Sequence, residues 1–250
     1  MRGLHLLRAF QAGDVWLGNK DLAERTGMAK STVSRLAHVL TDLGYLRRTE
    51  SGAGFALGPG VLMLAYPLLV SLTVRQIARP SMKQLADAVG GQVSLGMAAG
   101  ASMVFIETSR SRVHRHTRPE AGNAIPMLAS SMGRAYLATL APSRRADVLE
   151  RLRADDPVGW QAHGDKVDAA VRDMIRLGFT RSFGDVRKEM VACATPLRVR
   201  IEGEPIVMNV SVPAFGLPRG ALETSIGPQL CVAARRIDEA AGLEPHPGRS

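Results

Sequence analysis

The sequence contains few cysteines, and their spacing suits neither a disulfide nor a metal site. Only two occur in 250 residues, Cys193 and Cys231, and both lie in apolar contexts without the spacing of a disulfide framework or a metal site. This scarcity excludes a small disulfide-stapled domain. It indicates reduced, buried thiols, as expected for a cytoplasmic protein, and we expect neither a metal nor a cofactor.

The sequence also lacks an uninterrupted apolar run long enough to cross a membrane. Residues 51–74 contain no charge and residues 61–74 are strongly apolar, but a membrane span needs about 20 continuous apolar residues. The stretch is interrupted at Gly58, Pro59, Gly60 and Pro67. We interpret residues 59–74 as a linker helix that is buried against a second subunit or against the following domain. The early charge at Arg8 argues against an export signal.

Acidic residues are outnumbered by basic ones. There are 32 Lys and Arg against 23 Asp and Glu, which makes the formal net charge +9 and the pI about 10.3. This excess suits a polyanionic partner, although charge alone does not separate DNA from RNA or a membrane surface. The length favours two domains, or one large one.

Residues 19–43 have the pattern of two short helices joined by a tight turn. Ala23 provides the small side chain that crossing helices need, and Gly27 provides the turn. The apolar residues that would join the two helices are Leu22, Met28, Val33 and Leu36. This spacing predicts a helix-turn-helix, whose second helix enters the major groove of DNA. The alternative is an ordinary helical hairpin in a larger core.

The second of these helices carries a polar face suited to nucleic acid. Ser31, Ser34, Arg35 and His38 lie opposite its apolar stripe, where hydroxyl, guanidinium and imidazole groups can reach phosphates and base edges. The free amides at the helix start, at Lys30, Ser31 and Thr32, favour a phosphate. His38 is the weaker candidate, because Asp42 lies one turn further on and repels phosphate.

Two short strand-like runs follow, at residues 45–49 and 55–57, separated by a Ser-Gly-Ala-Gly turn. They predict a β-hairpin that packs on the helices as a wing. Arg47 and Arg48 at its base are candidates for contacts to the sugar-phosphate backbone. An arginine pair on a solvated strand edge is the alternative interpretation. We place the winged helix-turn-helix domain at residues 1–58.

From residue 75 onward helices and strands alternate. We predict strands at residues 92–98, 103–107, 191–196 and 205–213, and helices at residues 77–89, 130–140, 143–153, 165–177 and 222–241. This order indicates an α+β domain with an antiparallel sheet, at residues 75–243. The proline- and glycine-containing residues 244–250 predict a disordered tail.

The run GMAKSTVSRLAHVLTDLGYLRRTESGAGFALGPGVLMLA resembles the DNA-binding half of the IclR family of bacterial transcriptional regulators. The later segments IPM at residues 125–127, SMGRAYLA at 131–138 and CATPL at 193–197 are similar to that family's GAF/profilin-like effector-binding domain. The resemblance covers nearly the whole chain. It implies a regulator and not an enzyme, which binds a double-stranded operator as a homodimer or homotetramer and responds to a small organic acid.

The resemblance also implies which residues bind the effector. They belong to the helix starting near residue 131, to the strand with Cys193, to the strand with Asn209, and to the segment before the Cys193 strand. The candidates are Met127, Met132, Gly133, Arg134, Ala135, Phe183, Asp185, Cys193, Asn209 and Ser211. Backbone amides at that helix start, with Gly133 permitting close approach, suit a carboxylate. Ser130 and Ser131 serve equally well as helix caps.

We therefore expect an operator-binding regulator of a catabolic operon, controlled by a carboxylate or aromatic acid. The alternative is a metabolite-binding protein or enzyme in which the N-terminal domain is only an interaction module, with Cys193 as a possible nucleophile. No histidine lies near Cys193 in the sequence to activate it.

Overall fold

A computed structural model of the chain describes residues 2–112 and 120–243. The chain divides into two compact units, Met1–Ser71 and Leu72–Ser250, and the division lies inside the predicted linker segment, residues 59–74. The predicted tail at residues 244–250 lies outside the described residues.

The first unit contains three helices and a hairpin, followed by a further helix. These elements are α1 (Arg2–Arg8), α2 (Asn19–Thr26), α3 (Lys30–Asp42), β1 (Leu46–Arg48), β2 (Phe55–Leu57) and α4 (Gly60–Ser71). Leu6 of α1, Leu22 of α2 and Val33 of α3 are fully buried. The strands pair antiparallel, with Leu46 opposite Leu57. This core joins the hairpin to the helices, as the sequence predicts for a winged helix-turn-helix.

Helix α4 buries none of its residues within the chain. Its large apolar side chains are exposed, namely Leu62, Met63, Leu64, Tyr66, Leu68 and Val70. The expectation that this segment is buried against a second subunit or the following domain stays a prediction. Within the described residues no single helix is long and apolar enough to span a membrane, and only α4 taken together with the next helix across a break reaches that length.

The second unit is built on a six-stranded sheet. Its strands are β3 (Gln92–Ala99), β4 (Ser102–Arg110), β5 (Ala124–Pro126), β6 (Thr180–Phe183), β7 (Met190–Ile201) and β8 (Glu204–Pro213), in the order β5-β4-β3-β8-β7-β6. Every neighbouring pair is antiparallel. This confirms the predicted α+β class. The short strands β5 and β6 lie at the two edges of the sheet and were not predicted.

Helices cover both faces of this sheet. They are α5 (Val74–Val89), α6 (Ser131–Thr139), α7 (Pro142–Asp155), α8 (Pro157–His163), α9 (Lys166–Leu177) and α10 (Gly227–Ala240). Along β8, Met208 and Val210 belong to the core beneath α5 and α10, whereas Val207 belongs to the core beneath α6. Alternate residues of a strand therefore enter different cores, as the pleat requires.

The end of the chain differs from the predicted single helix at residues 222–241. Leu222–Ile226 form a π-helical turn before α10. Pro228 explains the difference, because it has no amide hydrogen to donate to the carbonyl of residue 224. Two other predicted boundaries agree with the structure: Ser130 caps α6 with its side chain, and Gly178 ends α9 in the left-handed conformation.

Candidate nucleic-acid interface and effector cavity

The turn between α2 and α3 is tight and fixed at both ends. Gly27 follows α2 with φ +68°, a conformation that glycine adopts without strain. The Asn19 side-chain amide donates to the Lys30 carbonyl over 3.3 Å, so the first residue of α2 is tied to the first residue of α3. Ala23 and Met28 are partly buried against the shared core. The two helices are therefore held at a defined crossing.

Helix α3 presents its predicted polar residues to solvent. Ser31, Ser34 and Arg35 are exposed, and so is Lys30 at the helix start. His38 is exposed too, but its Nε2 lies 3.8 Å from a carboxylate oxygen of Asp42. This contact places a negative charge beside the imidazole and makes His38 the least suited of the set for a phosphate contact.

The start of α3 leaves backbone amides available. Its N-cap is Ala29, which has no side-chain group to bond them. The amide of Thr32 donates to the Ala29 carbonyl over 2.9 Å, so this amide is less available for a phosphate than the sequence predicts. For the amides of Lys30 and Ser31, the described residues offer no hydrogen-bond partner. Two amides at the positive end of the helix dipole therefore remain for an anion.

The wing exposes both predicted arginines on β1. Arg47 and Arg48 are exposed, and they pair across the hairpin with Ala56 and Phe55. The Arg48 guanidinium lies 5.3 Å from the centroid of the Phe55 ring, close enough for a cation–π contact. Arg47 has no such ring contact among the described residues. The structure therefore brings Lys30, Ser31, Ser34, Arg35, Arg47 and Arg48 to the surface of one unit.

The second unit contains a cavity of about 90 Å³ between the sheet and the start of α6. It is lined by Gln92, Phe105, Asn123, Ile125, Ser130, Ser131, Ser182, Val186, Arg187, Met190, Ala192, Asn209 and Ser211. The floor comes from β3, β7 and β8, and the walls come from β4, β5, the start of α6 and the segment between β6 and β7. A cavity of about 150 Å³ is known to hold a benzene ring, so this volume suits a short-chain acid, or a ring that also occupies the cavity mouth.

Several polar groups around the cavity lack partners. The Asn209 side-chain oxygen is buried and accepts no hydrogen bond from any described residue. The Ser130 hydroxyl accepts from the Gly133 amide over 3.0 Å, so this serine is a helix cap as well as a lining residue. The amides of Ser131 and Met132 have no acceptor among the described residues. A buried polar group without a partner costs stability unless a ligand or water satisfies it.

Arg187 is the only charged residue among those that line the cavity in the described part of the chain. It lies in the segment between β6 and β7, with Val186 beside it, and neither residue was predicted from the sequence. The direction of a loop side chain is not encoded by any periodicity, so no sequence signal pointed to them. Arg187 gives the cavity a cation that no lining carboxylate balances.

Cys193, which was predicted to bind the effector, does not line this cavity. It is fully buried in the core beneath α5 and α10, while its neighbour Ala192 lines the cavity. Burial raises the pKa of the Cys193 thiol far above its ordinary value, which keeps the thiol neutral. The side chain is therefore structural.

The predicted residues around α6 are core residues that do not line this cavity. Met127, Met132 and Ala135 are buried in the core beneath α6. A Cβ on Gly133 would clash with the Met127 carbonyl oxygen, so this glycine permits close packing of backbone on backbone. This packing explains the glycine without a ligand, and its predicted role in the close approach of an effector stays a prediction.

Arg134 and Asp185 form an ion pair behind the cavity wall. Arg134 is 3% exposed, and its guanidinium donates to an Asp185 oxygen over 2.6 Å, while the Lys166 ammonium donates to the other oxygen over 2.6 Å. Burial raises the pKa of Asp185, but the hydrogen bonds from Lys166 and Arg134 outweigh it, and the net pKa is lowered. Asp185 is thus an ionised anchor for the segment that carries Arg187.

Phe183 lies away from the cavity as well. Its side chain is exposed and packs beside the Arg181 guanidinium, 5.8 Å from the ring centroid. Of the ten predicted effector-binding residues, only Asn209 and Ser211 line the cavity. Among the described residues, no three His, Cys, Asp or Glu side chains are grouped as metal ligands.

Comparison with known proteins gives consistent matches over nearly the whole chain. The model of the IclR helix-turn-helix domain matches residues 1–50, and that of the bacterial transcriptional regulator IclR C-terminal domain matches residues 67–239. The chain is 29% identical over 231 residues to the HTH-type transcriptional regulator TsaQ1/TsaQ2 of Comamonas testosteroni, a match that covers 92% of this chain and 83% of that protein.

Solved structures agree. A crystal structure of an IclR family transcriptional regulator from Brucella abortus is similar at 36% identity with a TM-score of 0.82, covering 96% of this chain and 90% of that one. An IclR homolog from Microbacterium hydrocarbonoxydans, solved in complex with 4-hydroxybenzoate, has a TM-score of 0.72 at 21% identity, covering 96% and 97%. The second likeness concerns the fold alone.

Proposed function

The chain belongs to the IclR family of bacterial transcriptional regulators, and from this premise we propose which surface reads its operator and which chemistry its effector has. The family consists of DNA-binding regulators and not of enzymes. The alternative of an enzyme with an N-terminal interaction module is therefore set aside. The questions that remain concern the residues and the ligand.

For DNA, we propose that α3 lies in the major groove and that the wing contacts the backbone. Arg35 is placed to bond a guanine edge, with Ser31 and Ser34 beside it. The uncapped amides of Lys30 and Ser31 favour a phosphate, and Arg47 and Arg48 add contacts without sequence preference. Thr32 and His38 are the weaker members of the predicted set. The Thr32 amide already donates to the Ala29 carbonyl, and Asp42 lies beside the His38 imidazole.

For the effector, we propose a small carboxylate, either an aromatic or a short-chain acid. The observation that carries this proposal is Arg187, a cation on a cavity whose described lining has no carboxylate. The buried Asn209 side-chain oxygen has no partner among the described residues and can accept from a hydroxyl of the ligand, and Phe105 and Ile125 provide apolar surface for a ring or chain. A guanidinium bonds a carboxylate in a bidentate manner. The 4-hydroxybenzoate found in the homolog from Microbacterium hydrocarbonoxydans has this chemistry.

We further propose that the regulator works as a dimer in the cytoplasm, controlling a catabolic operon. The exposed apolar face of α4 is the surface available for the subunit contact. An effector that binds one arrangement of the subunits better than another changes operator affinity by the difference in binding free energy.

The effector proposal is tested by replacing Arg187 with glutamine and screening carboxylates by thermal shift. Benzoate, 4-hydroxybenzoate and short-chain acids are the probes, because a ligand raises the melting temperature of a protein that it binds. Loss of a charged hydrogen bond costs about 1.5–3 kcal/mol, or roughly 10- to 150-fold in affinity.

Lys188→Gln is the matched control, because Lys188 is the exposed neighbour of Arg187 and does not line the cavity. It removes the same charge and should leave the affinity within about threefold, a change of under 1 kcal/mol. If both variants weakened carboxylate binding equally, the positive charge would act on the ligand only at long range and not through a direct contact from Arg187. Unchanged affinity in Arg187→Gln would contradict the carboxylate assignment.

A further inference from the structure

Strand β4 carries a β-bulge next to the cavity. Leu95 of β3 pairs with Glu107, but the next residue, Gly96, pairs with Phe105, so Ile106 is an extra residue in β4. In a regular strand, residues two apart point to the same face. The bulge instead lets Phe105 and Glu107 point to opposite faces of the sheet. One short segment thus reaches both sides.

On one face, the bulge forms part of the cavity wall. Phe105 lines the cavity, and its amide donates to the Asn123 carbonyl over 2.8 Å. Its own carbonyl accepts from the Gly122 amide over 2.8 Å. Asn123 lines the cavity as well. A ligand that displaces the Phe105 ring therefore pulls on a backbone segment whose amide and carbonyl are both hydrogen-bonded to residues 122 and 123.

On the other face, the bulge holds the first turns of α5. The Arg75 side chain donates from Nε to the Ile106 carbonyl over 2.7 Å, and its Nη2 lies 3.2 Å from Glu107. Arg79, one turn later, contacts the same carboxylate oxygen over 3.1 Å. The side chains of Arg75 and Glu107 are 15% and 12% exposed, so water screens their ion pair weakly.

Helix α5 is the first element after the boundary between the two units. The second unit begins at Leu72, and the Arg75 amide donates to the Leu72 carbonyl over 3.0 Å. Any shift of the first turn of α5 is therefore passed along the chain to the segment that joins it to the DNA-binding unit. The contacts of Arg75 connect this turn to the cavity wall through residues 105–107 of the bulge.

We propose that the bulge at residues 105–107 is the element that couples effector binding to operator binding, with Glu107 as its positioning residue. The inference rests on the proposed function of the cavity. A bulge interrupts the strand ladder, so it can shift locally without sliding the register of the whole sheet. If the Glu107 carboxylate moves, Arg75 should move with it, because leaving either of these buried charges unpaired is costly. The more exposed Arg79 adds a second contact to the same carboxylate.

The test is the effect of a carboxylate ligand on operator affinity in the full-length chain. Glu107→Gln removes the charge that holds both arginines. Asp87→Asn is the matched control, because it removes one negative charge and an ion pair of α5, 2.6 Å from Lys83 on the same helix. The probe is whichever of benzoate, 4-hydroxybenzoate or a short-chain acid raises the melting temperature of the wild-type protein. Operator affinity is measured with and without it.

Allosteric coupling typically changes binding affinity by roughly 5- to 150-fold. We expect Glu107→Gln to reduce this factor to within about twofold of one, and Asp87→Asn to leave it unchanged. Ligand affinity of the DNA-free protein should stay near the wild-type value in both variants. By reciprocity, operator DNA should also stop changing ligand affinity in Glu107→Gln.

The outcomes separate the two hypotheses. A wild-type factor of one with every probe refutes ligand control by the cavity, and the coupling role with it. A wild-type response that persists in Glu107→Gln refutes the coupling role alone. Loss of ligand affinity in Glu107→Gln also refutes it, since Glu107 would then act within the cavity. If Glu107→Gln does not fold, Arg79→Gln removes one of the two guanidinium groups that Glu107 holds, from a side chain that is 57% exposed. It should lower the coupling factor in part, and an unchanged factor would refute the coupling role.

Discussion

Replacing Arg35 with alanine tests the assignment of α3 as the helix that reads DNA. Arg35 is exposed, and no ion pair with another described residue holds its guanidinium. Its removal should change the free energy of unfolding by no more than about 0.5 kcal/mol, as for other surface substitutions. A bidentate contact to a guanine contributes about 1–3 kcal/mol of discrimination between bases.

The expected loss is therefore roughly 5- to 150-fold in operator affinity for each half-site, with the free energies adding in a symmetric dimer. Arg47→Ala is the matched control, because it removes the same charge from β1. It should weaken operator and scrambled duplex alike and reduce the salt dependence of binding by about one unit per lost phosphate contact. Arg48 is less suitable, since its guanidinium also packs on the Phe55 ring.

Fluorescence anisotropy with a duplex selected as the operator, and with its scrambled counterpart, measures both affinities over a range of salt concentrations. Arg35→Ala should lower the ratio of the two affinities, and Arg47→Ala should not. An equal loss on both duplexes in Arg35→Ala places Arg35 on the DNA backbone. Undiminished affinity in Arg35→Ala would show that this part of α3 lies outside the interface.

The remaining predictions concern buried and exposed groups outside α3. Leu64→Glu places a charge on the exposed face of α4, so sedimentation should show weaker self-association with unchanged folding, and an unaltered dimer would contradict the proposed contact. Asp185→Asn leaves the buried Arg134 charge without its partner and should destabilise the protein by about 3–5 kcal/mol in urea unfolding, whereas a loss below about 1 kcal/mol would argue against the ion pair. The pKa of Asp185 is lowered in the folded state, so its ionised form stabilises the fold fully above the ordinary carboxyl pKa of about 3.9. This stabilisation is lost as the pH falls through the folded pKa, and the free energies of unfolding of the wild type and Asp185→Asn should therefore converge in acid. Burial raises the pKa of both Cys193 and Cys231, so a thiol reagent at pH about 8 should label them only after unfolding, and rapid labelling of the native protein would refute a structural role.

The DNA-binding unit could be predicted well from sequence because its determinants are local. The apolar stripe through Val33 and Ala37, the left-handed turn at Gly27 and the hairpin after residue 44 all depend on residues a few positions apart. A helix with one apolar stripe buries that stripe against any neighbour and leaves the opposite face exposed. The exposure of Ser34 and Arg35 therefore followed from the pattern itself.

The candidate effector cavity was predicted less well, because the face to which a strand residue points and the direction of a loop side chain are not local properties. The run Val191, Ala192, Cys193 and Ala194 consists of small apolar residues, which carry no alternation between polar and apolar side chains. One residue of difference in register exchanges the two faces of a strand. The pairing of Ala192 with Ser211 places Ala192 at the cavity and Cys193 in the opposite core.

The amino-acid sequence by itself determined the winged helix-turn-helix, the α+β class and the family, since each depends on periodicity, turn residues and motifs read along the chain. Only the tertiary structure decided that Arg187 and Asn209 meet in one cavity, that Asp185 is an anchor and that Gly133 packs on the Met127 backbone. Those relations join residues far apart in sequence. Their geometry is set by sheet register and by the packing of buried charges, which no local pattern encodes.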